Sequence, residues 1–151
     1  MSKSSVFCLL LLSIAGLSTG CRAAETTGAR EVTLEELLSS PERYNGRHVT
    51  LEESYFDGFE VQVIAESLEY SGYAEGHLAP RGRMVWVEGR LPGDVYEKLE
   101  RQEMMGPEER YGRVRITGAF ECGEEYGHAG GYDCQITPSE VQLLPWSPPL
   151  P

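Results

Sequence analysis

From residue 21 onward, the sequence lacks the short motifs that identify common nucleotide-binding and hydrolytic enzymes. It has no Gly-x-x-x-x-Gly-Lys phosphate loop, no Gly-x-Gly-x-x-Gly dinucleotide fingerprint and no Gly-x-Ser-x-Gly nucleophile elbow. Acidic residues are spread along the whole chain, so no pair stands out as the general acid and base of a glycosidase. The sequence therefore predicts a protein that is not an enzyme and that needs no cofactor.

Positive charge is also scarce. The chain has 13 Lys and Arg against 24 Asp and Glu, a net charge of −11. The basic residues that could give a nucleic-acid groove positive charge are Arg81, Arg83, Arg113 and Arg115. Such an acidic chain repels phosphate backbones and anionic lipid headgroups. We therefore expect no nucleic-acid partner, and the expected partner is an envelope protein or a small ligand.

A long apolar run occurs only at the N-terminus. Lys3 is the sole charged residue before Arg22, and apolar residues dominate positions 6–17. This run is shorter than the roughly 20 apolar residues of a membrane span, and small residues follow it, which is typical of a secretory signal. We predict a signal peptide over residues 1–20 and a flexible tether over residues 21–30.

Two cleavage sites remain open. The segment 17–21 resembles a bacterial lipobox, in which cleavage leaves a lipid-modified Cys21 at the new N-terminus. Gly20 and Cys21 fit that pattern, whereas Ser18 stands where leucine is usual. The alternative is ordinary cleavage after Ala23 or Ala24. The preferred prediction is a periplasmic protein tethered to the outer membrane through its lipid alone, and the alternative is a soluble periplasmic or secreted protein.

Few cysteines remain after the signal. Cys8 leaves with the signal, and Cys21 belongs to the lipobox or the tether, which leaves Cys122 and Cys134 as a pair. In an oxidising compartment two such cysteines form a disulfide. His128 lies midway between them, but this spacing matches no zinc signature. We therefore predict a disulfide and no metal site.

What the sequence has in abundance is alternation of apolar and polar residues. In the segment 110–120, Val114, Ile116 and Phe120 fall on one face of an extended strand, and arginines fall on the other. Segments beginning at Val49 and Val85 repeat this valine-led pattern. The three segments predict a small curved β-domain over residues 31–144, followed by a Pro-rich extended tail over residues 145–151.

The remaining elements follow from caps and turn residues. Thr33 and Glu36 form the pattern of a capping box at a first helix. Asp94 is predicted to cap a second helix, which Gly106 and Pro107 end. The charge at Glu53, on the inward face of its strand, predicts a bulge near residues 52–53. The segment 66–83 has no period and is predicted to be a loop. The five predicted strands span residues 47–56, 59–65, 84–90, 110–120 and 134–137, with a Gly-rich connection over 121–133 and a last extended piece over 141–144.

The order of these elements is that of the OB-fold, a five-stranded Greek-key barrel, here mainly β with two short helices. The entry Pro-Glu-Arg-Tyr-Asn-Gly-Arg at 41–47 resembles the turn before the first strand of small exported bacterial OB-fold-like lipoprotein domains. The Tyr-Gly-His-x-Gly-Gly-Tyr segment at 126–132 is also similar to theirs. In this chain Glu53 replaces their usual mid-strand glycine. The resemblance implies the fold and export, because those domains have no assigned activity.

One loop has an unusual composition for binding. Residues 123–133 combine Tyr126, His128 and Tyr132 with four glycines. Glycine allows close approach of a ligand, and tyrosine gives stiff contact surface. The predicted function is a non-catalytic binding or structural module of the bacterial cell envelope. The alternative is a small-ligand or cation-binding protein that uses this loop, and an envelope enzyme ranks third.

Overall fold

A computed structural model describes residues 28–103 and 106–150. The predicted signal peptide, Cys21 and both alternative cleavage sites lie outside the described residues. Within them, no helix combines the length and the apolar character needed to cross a bilayer.

The described chain is mainly β with two short helices, as predicted, but it has seven strands where five were expected. Two of the seven are short: one spans the predicted boundary between tether and domain at residues 30–31, and one lies in the predicted second helix. The strands are β1 (Arg30–Glu31), β2 (Arg47–Gly58), β3 (Val61–Tyr70), β4 (Leu78–Val87), β5 (Glu100–Gln102), β6 (Glu109–Tyr126) and β7 (Tyr132–Leu144), and the helices are α1 (Leu34–Ser39) and α2 (Gly93–Tyr96).

All seven strands belong to one sheet with the order β1-β2-β3-β4-β7-β6-β5. In addition, β2 pairs with β6 along almost its whole length, from Arg47 opposite Phe120 to Asp57 opposite Arg110. Hydrogen bonding therefore runs in a circuit through β2, β3, β4, β7 and β6 and back to β2. Most neighbours in the circuit are antiparallel, and β4 and β7 are parallel.

The inner face of this circuit holds the larger apolar cluster. The three valine-led segments all contribute to it, and Val49, Val85 and Val114 are fully buried there. Leu34 and Leu37 of α1 close it from one side, because the predicted capping box fixes the start of that helix. The Thr33 hydroxyl accepts the Glu36 backbone N–H, and the Glu36 carboxylate accepts the Thr33 backbone N–H.

A second apolar cluster lies on the outer face. We call it the outer cluster. Its members come from β2, β3, β4 and β6, and half-buried residues of the last part of the chain pack against them. It consists of Phe56, Val63, Ala65, Leu68, Leu78 and Tyr111, with Val61, Met84, Trp86, Tyr132 and Trp146 packed against it.

The predicted bulge near residues 52–53 is wrong. The pairing of β2 with β6 continues without a register shift through Glu52 and Glu53. Burial raises the pKa of the Glu53 carboxyl, whereas the Arg113 cation and the Leu34 backbone N–H lower it. The charge is tolerated on this face because the first turn of α1 donates a hydrogen bond to it.

The segment 66–83, predicted to be a loop, is mostly strand. β3 extends to Tyr70, which pairs with Leu78 at the start of β4, and a bulge interrupts the ladder where Gly82 and Arg83 of β4 lie opposite Glu66. The Glu66 carboxylate accepts hydrogen bonds from the backbone and side chain of Arg83. The bulge hides the alternation of β4 from sequence inspection, because its extra residue shifts the period of that strand by one.

Two further predictions were wrong in extent. The second helix ends at Tyr96, and the residues after it form β5, which pairs with the exposed edge of β6. The pieces 134–137 and 141–144 are parts of one strand, β7, with a bulge at Ser139 next to Pro138. Proline donates no ladder hydrogen bond, and a bulge is a usual place for it.

Candidate functional site

The predicted loop lies at the tip of the β6–β7 hairpin. The predicted disulfide between Cys122 and Cys134 is confirmed, and it closes the base of the tip. Beyond it, Tyr126 pairs with Tyr132. Gly127 has φ of 72° and lies against Trp86, where a Cβ atom would come within 2.7 Å of the indole. Glycine is therefore required at this position for both backbone conformation and space.

Tyr132 packs against the protein itself. Its ring centroid lies 5.4 Å from that of Trp86, and burial raises the pKa of its phenol. The Trp86 indole N–H donates to Glu88 at 3.0 Å. Tyr132 thus holds the hairpin tip on the outer face, with its ring partly buried.

His128 contacts the neighbouring hairpin. Its Nε2 lies 3.3 Å from a carboxylate oxygen of Glu60, in the turn between β2 and β3. Both side chains are about half exposed. Desolvation, followed by the Glu124 and Glu121 charges, raises the pKa of the Tyr126 phenol. Of the three residues predicted for binding, His128 and Tyr126 remain at the surface.

A cleft that the sequence analysis missed opens where β2 ends and β3 begins. It has a volume of about 520 Å³, and the segment before and within α2 forms its far wall. We call it the Asp57 cleft. Its lining residues are Tyr55, Asp57, Gln62, Arg90, Leu91, Gly93 and Tyr96.

Asp57 supplies the carboxyl group of the cleft. Burial raises its pKa, and a hydrogen bond from the Tyr96 hydroxyl and the Arg110 cation partly oppose that effect. The Arg110 guanidinium lies 4.7 Å from the Tyr96 ring centroid and donates to the Tyr96 backbone carbonyl at 3.0 Å. It also donates to Glu108 at 2.7 Å. The Tyr96 wall is therefore held by a buried cation rather than by loop packing alone.

Tyr55 and Gln62 form the floor of the cleft. Tyr55 is only 1% exposed, and burial, followed by the Asp57 charge, raises its pKa. The Gln62 amide donates to the Gly89 carbonyl at 2.5 Å and bonds the Tyr55 hydroxyl. Both side chains are thus fixed before any ligand arrives, which lowers the entropic cost of binding.

The cleft combines one carboxyl, two phenols, an amide and the Arg90 guanidinium around a small apolar wall. This mixture of donors and acceptors suits a polar ligand with several hydroxyl groups, held by directional hydrogen bonds. One signal in the sequence points to it. Asp57 continues the inward alternation of Val49, Leu51 and Tyr55, so a carboxyl stands at the end of an apolar face.

A buried polar array lies elsewhere, between the β3–β4 turn and β6. His77 is 6% exposed, with Nδ1 2.7 Å from the Ser71 hydroxyl and Nε2 2.9 Å from the Glu109 carboxylate. Gln102 also donates to Glu109. The sequence of hydroxyl, imidazole and carboxylate resembles a nucleophilic triad. The Ser71 oxygen also accepts the Tyr73 backbone N–H, and His77 bridges Ser71 and Glu109, so the array ties the turn to β6.

An acidic groove of about 350 Å³ lies beside α1, lined by Glu31, Glu36, Glu52 and Glu53. Arg115 is paired with both Glu31 and Glu52. Among residues 28–103 and 106–150, no three His, Cys, Asp or Glu side chains converge as metal ligands would.

The same β2–β3 hairpin contributes to the Asp57 cleft and to the His128 contact. Gln62 lines the cleft, and Glu60 contacts His128. No family model, curated protein or solved structure matches this chain. What the protein binds must therefore be inferred from this geometry alone.

Proposed function

We propose that the protein is a non-catalytic binding module of the bacterial cell envelope, with the Asp57 cleft as its ligand site. One observation carries the proposal: Asp57, Tyr96, Tyr55 and Gln62 converge on a single opening and are fixed there by hydrogen bonds. A concave site with a few convergent polar groups and a perturbed carboxyl is where small ligands bind in most proteins.

The strand circuit supports an OB-like barrel for this module. The five longer strands close on themselves, and β4 and β7 form the one parallel pair among these five. In OB-folds the loops between strands one and two and between strands four and five take part in binding oligonucleotides or oligosaccharides. The corresponding hairpins here are β2–β3 and β6–β7, and they meet through Glu60 and His128. The OB-like strand arrangement and the Asp57 cleft thus both favour the β2–β3 hairpin as part of the binding region.

Export is part of the proposal. The N-terminal sequence has the pattern of a signal followed by a lipobox at Cys21, and the Cys122–Cys134 disulfide is compatible with an oxidising compartment. We propose that the mature domain is held at the outer membrane by a lipid on Cys21. Labelled palmitate should enter the wild type and should not enter Cys21→Ala; equal labelling of both would remove lipidation from the proposal.

The ligand class follows from charge and lining. A net charge of −11 disfavours anionic ligands, and the mixed donors and acceptors favour a neutral molecule rich in hydroxyl groups. Among envelope molecules, a neutral oligosaccharide has this chemistry. Its sugar faces would pack on the Tyr96 ring, and its hydroxyls would bond Asp57, Gln62 and Arg90.

Calorimetric titration with neutral trisaccharides tests the site. Asp57→Asn and Tyr96→Phe each should weaken binding at least tenfold, because the first replaces an acceptor oxygen of the carboxyl group by an amide donor and the second removes a hydroxyl group. Asp133→Asn is the matched control, since Asp133 is an exposed aspartate outside the cleft lining, and its affinity should equal that of the wild type.

A Tyr126→Ala, His128→Ala double variant separates the cleft from the hairpin tip. We expect its affinity to stay within threefold of the wild type. If this variant alone loses binding while Asp57→Asn binds normally, the loop is the site and the cleft is not.

A further inference from the structure

The Pro-rich tail is held on the outer face of the sheet. The Trp146 ring meets the Tyr111 ring edge-on, with centroids 5.8 Å apart and planes at 81°. Three residues later, the Pro149 carbonyl accepts a hydrogen bond of 3.0 Å from the Tyr70 hydroxyl. Leu150 is 94% exposed, so the hold ends at Pro149. The tail was predicted to be extended, but nothing in its composition indicated where it would lie.

The conformation and spacing of the tail are those of a recognition segment. Residues 145–150 form neither helix nor strand, and their sequence is Pro-Trp-Ser-Pro-Pro-Leu. Proline restricts φ and lacks an N–H, so a segment rich in it stays extended and keeps its carbonyls available. Domains that bind Pro-x-x-Pro segments do so with aromatic side chains in a shallow groove. Tyr111 and Tyr70 supply such contacts here.

We propose that this outer face is a receptor site for a proline-rich segment of a partner protein, and that the chain's own tail occupies the site in its absence. The tail is bound through the aromatic contact of Trp146 with Tyr111 and the exposed hydrogen bond from Tyr70 to Pro149. A competing segment can displace the tail because it can make the same contacts with Tyr111 and Tyr70. The tail has one advantage over a separate segment: β7 connects it covalently to the domain, so its effective concentration at the site is high. The site shares no residue with the lining of the Asp57 cleft.

The charge around the site selects among proline-rich segments. Glu100 lies opposite Tyr111 in the pairing of β5 with β6, and its charge helps to raise the pKa of the Tyr111 phenol, although burial is the larger cause. The whole chain is strongly acidic. A partner segment with lysine or arginine next to its prolines would therefore bind better than a neutral or acidic one.

A labelled peptide tests the proposal in the full-length chain. The probe has the sequence of residues 145–151 with two arginines added at its start, and binding is followed by fluorescence polarisation. The Trp146→Ala chain, whose own tail is weakened, should bind this peptide at least tenfold more tightly than the wild type. A peptide with its tryptophan replaced by alanine should not bind, and one with two glutamates in place of the arginines should bind at least threefold more weakly.

Variants of the receptor face complete the test. In the Trp146→Ala chain, Tyr111→Ala should lower peptide affinity at least tenfold, and Tyr70→Phe, which removes only a hydroxyl, should lower it severalfold. Circular dichroism should show both variants folded, and Tyr70→Phe decides the matter if Tyr111→Ala unfolds.

The proposal fails if the Trp146→Ala chain does not bind the peptide, or if the peptide binds it and the wild type equally. It also fails if the wild type exchanges tails in a dimer while rejecting the peptide, because the face would then serve only its own tail.

Discussion

The two apolar clusters of this protein are built in different ways. The inner cluster consists of side chains such as Val49, Ile116 and Phe120 that lose all contact with solvent. The outer cluster has buried members from the strands, but Met84, Trp86 and Trp146 around them are only partly covered. The inner cluster closes through the strand circuit itself, whereas the outer cluster is covered by the β6–β7 hairpin tip and the C-terminal tail.

This difference separates stability from recognition. Complete burial of apolar side chains provides most of the free energy of folding, and any change of volume there is costly. A partly covered aromatic surface contributes less and can exchange one covering segment for another. The proposed tail site lies on the outer cluster, and the Asp57 cleft lies at the edge of the inner cluster, where Tyr55 and Leu91 line it.

The largest effect is expected from Phe120→Ala in the inner cluster. Phe120 is fully buried, so its removal leaves a cavity that the closed strand circuit cannot collapse. We expect the free energy of unfolding to fall by about 3–5 kcal/mol, measured by urea denaturation. A loss below about 1 kcal/mol would mean that the two clusters do not differ as described.

The next largest effect is expected from breaking the disulfide. Cys122→Ser with Cys134→Ser frees a loop of 12 residues, which should lower the free energy of unfolding by about 2–3 kcal/mol. Because the disulfide closes the base of the hairpin tip, tryptophan fluorescence of Trp86 should also shift toward that of an exposed indole. If folded Phe120→Ala shows the same fluorescence shift, the environment of Trp86 does not depend on the disulfide alone.

A smaller effect is expected from Trp146→Ala in the outer cluster. The substitution removes an edge-on aromatic contact with Tyr111 that is worth about 1 kcal/mol. Thermal unfolding should fall only a few degrees, in contrast to Phe120→Ala. A loss as large as that of Phe120→Ala would make the tail part of the folding core and not a displaceable cover.

The smallest effect concerns Asp57 and depends on pH. Its folded pKa lies above the ordinary value of 3.8 because of burial, so its contribution to stability is present below that value and is lost as pH rises through the folded pKa. Asp57→Asn cannot ionise but still accepts the Tyr96 hydroxyl. The variant should be more stable than the wild type at pH 7, and this advantage should shrink near pH 3.5. Urea denaturation at both pH values provides the measurement, and an advantage that grows at low pH would contradict the sign.

The sequence predicted the inner cluster better than the outer cluster. Alternation around Val49, Val85 and Val114 predicted the inner cluster because one face of each strand had to be buried. The helix start at Thr33 and the pairing of Cys122 with Cys134 were also predictable, since each depends on a local pattern or on the absence of other partners. The outer cluster had no such pattern, because its members come from opposite faces of the same strands and from the tail.

The errors also have physical causes. The bulge at Gly82 and Arg83 shifts the period of β4, so the start of that strand at Leu78 could not be recognised from alternation. The charged segment 100–102 becomes β5 because the edge of β6 offers it unpaired backbone groups. The Asp57 cleft draws Tyr55, Arg90 and Tyr96 from separate parts of the chain, and only their packing brings them together.

The sequence by itself determined a mainly β domain, the capped first helix, the disulfide and the three buried valine-led segments, because these depend on short-range patterns of burial and hydrogen bonding. Tertiary structure alone decided the closure of the strand circuit, the Asp57 cleft and the position of the tail on the outer face. Those features depend on which segments, distant in sequence, pack against one another. The free energy that favours one packing over another is spread over many side chains, so no short pattern reveals it.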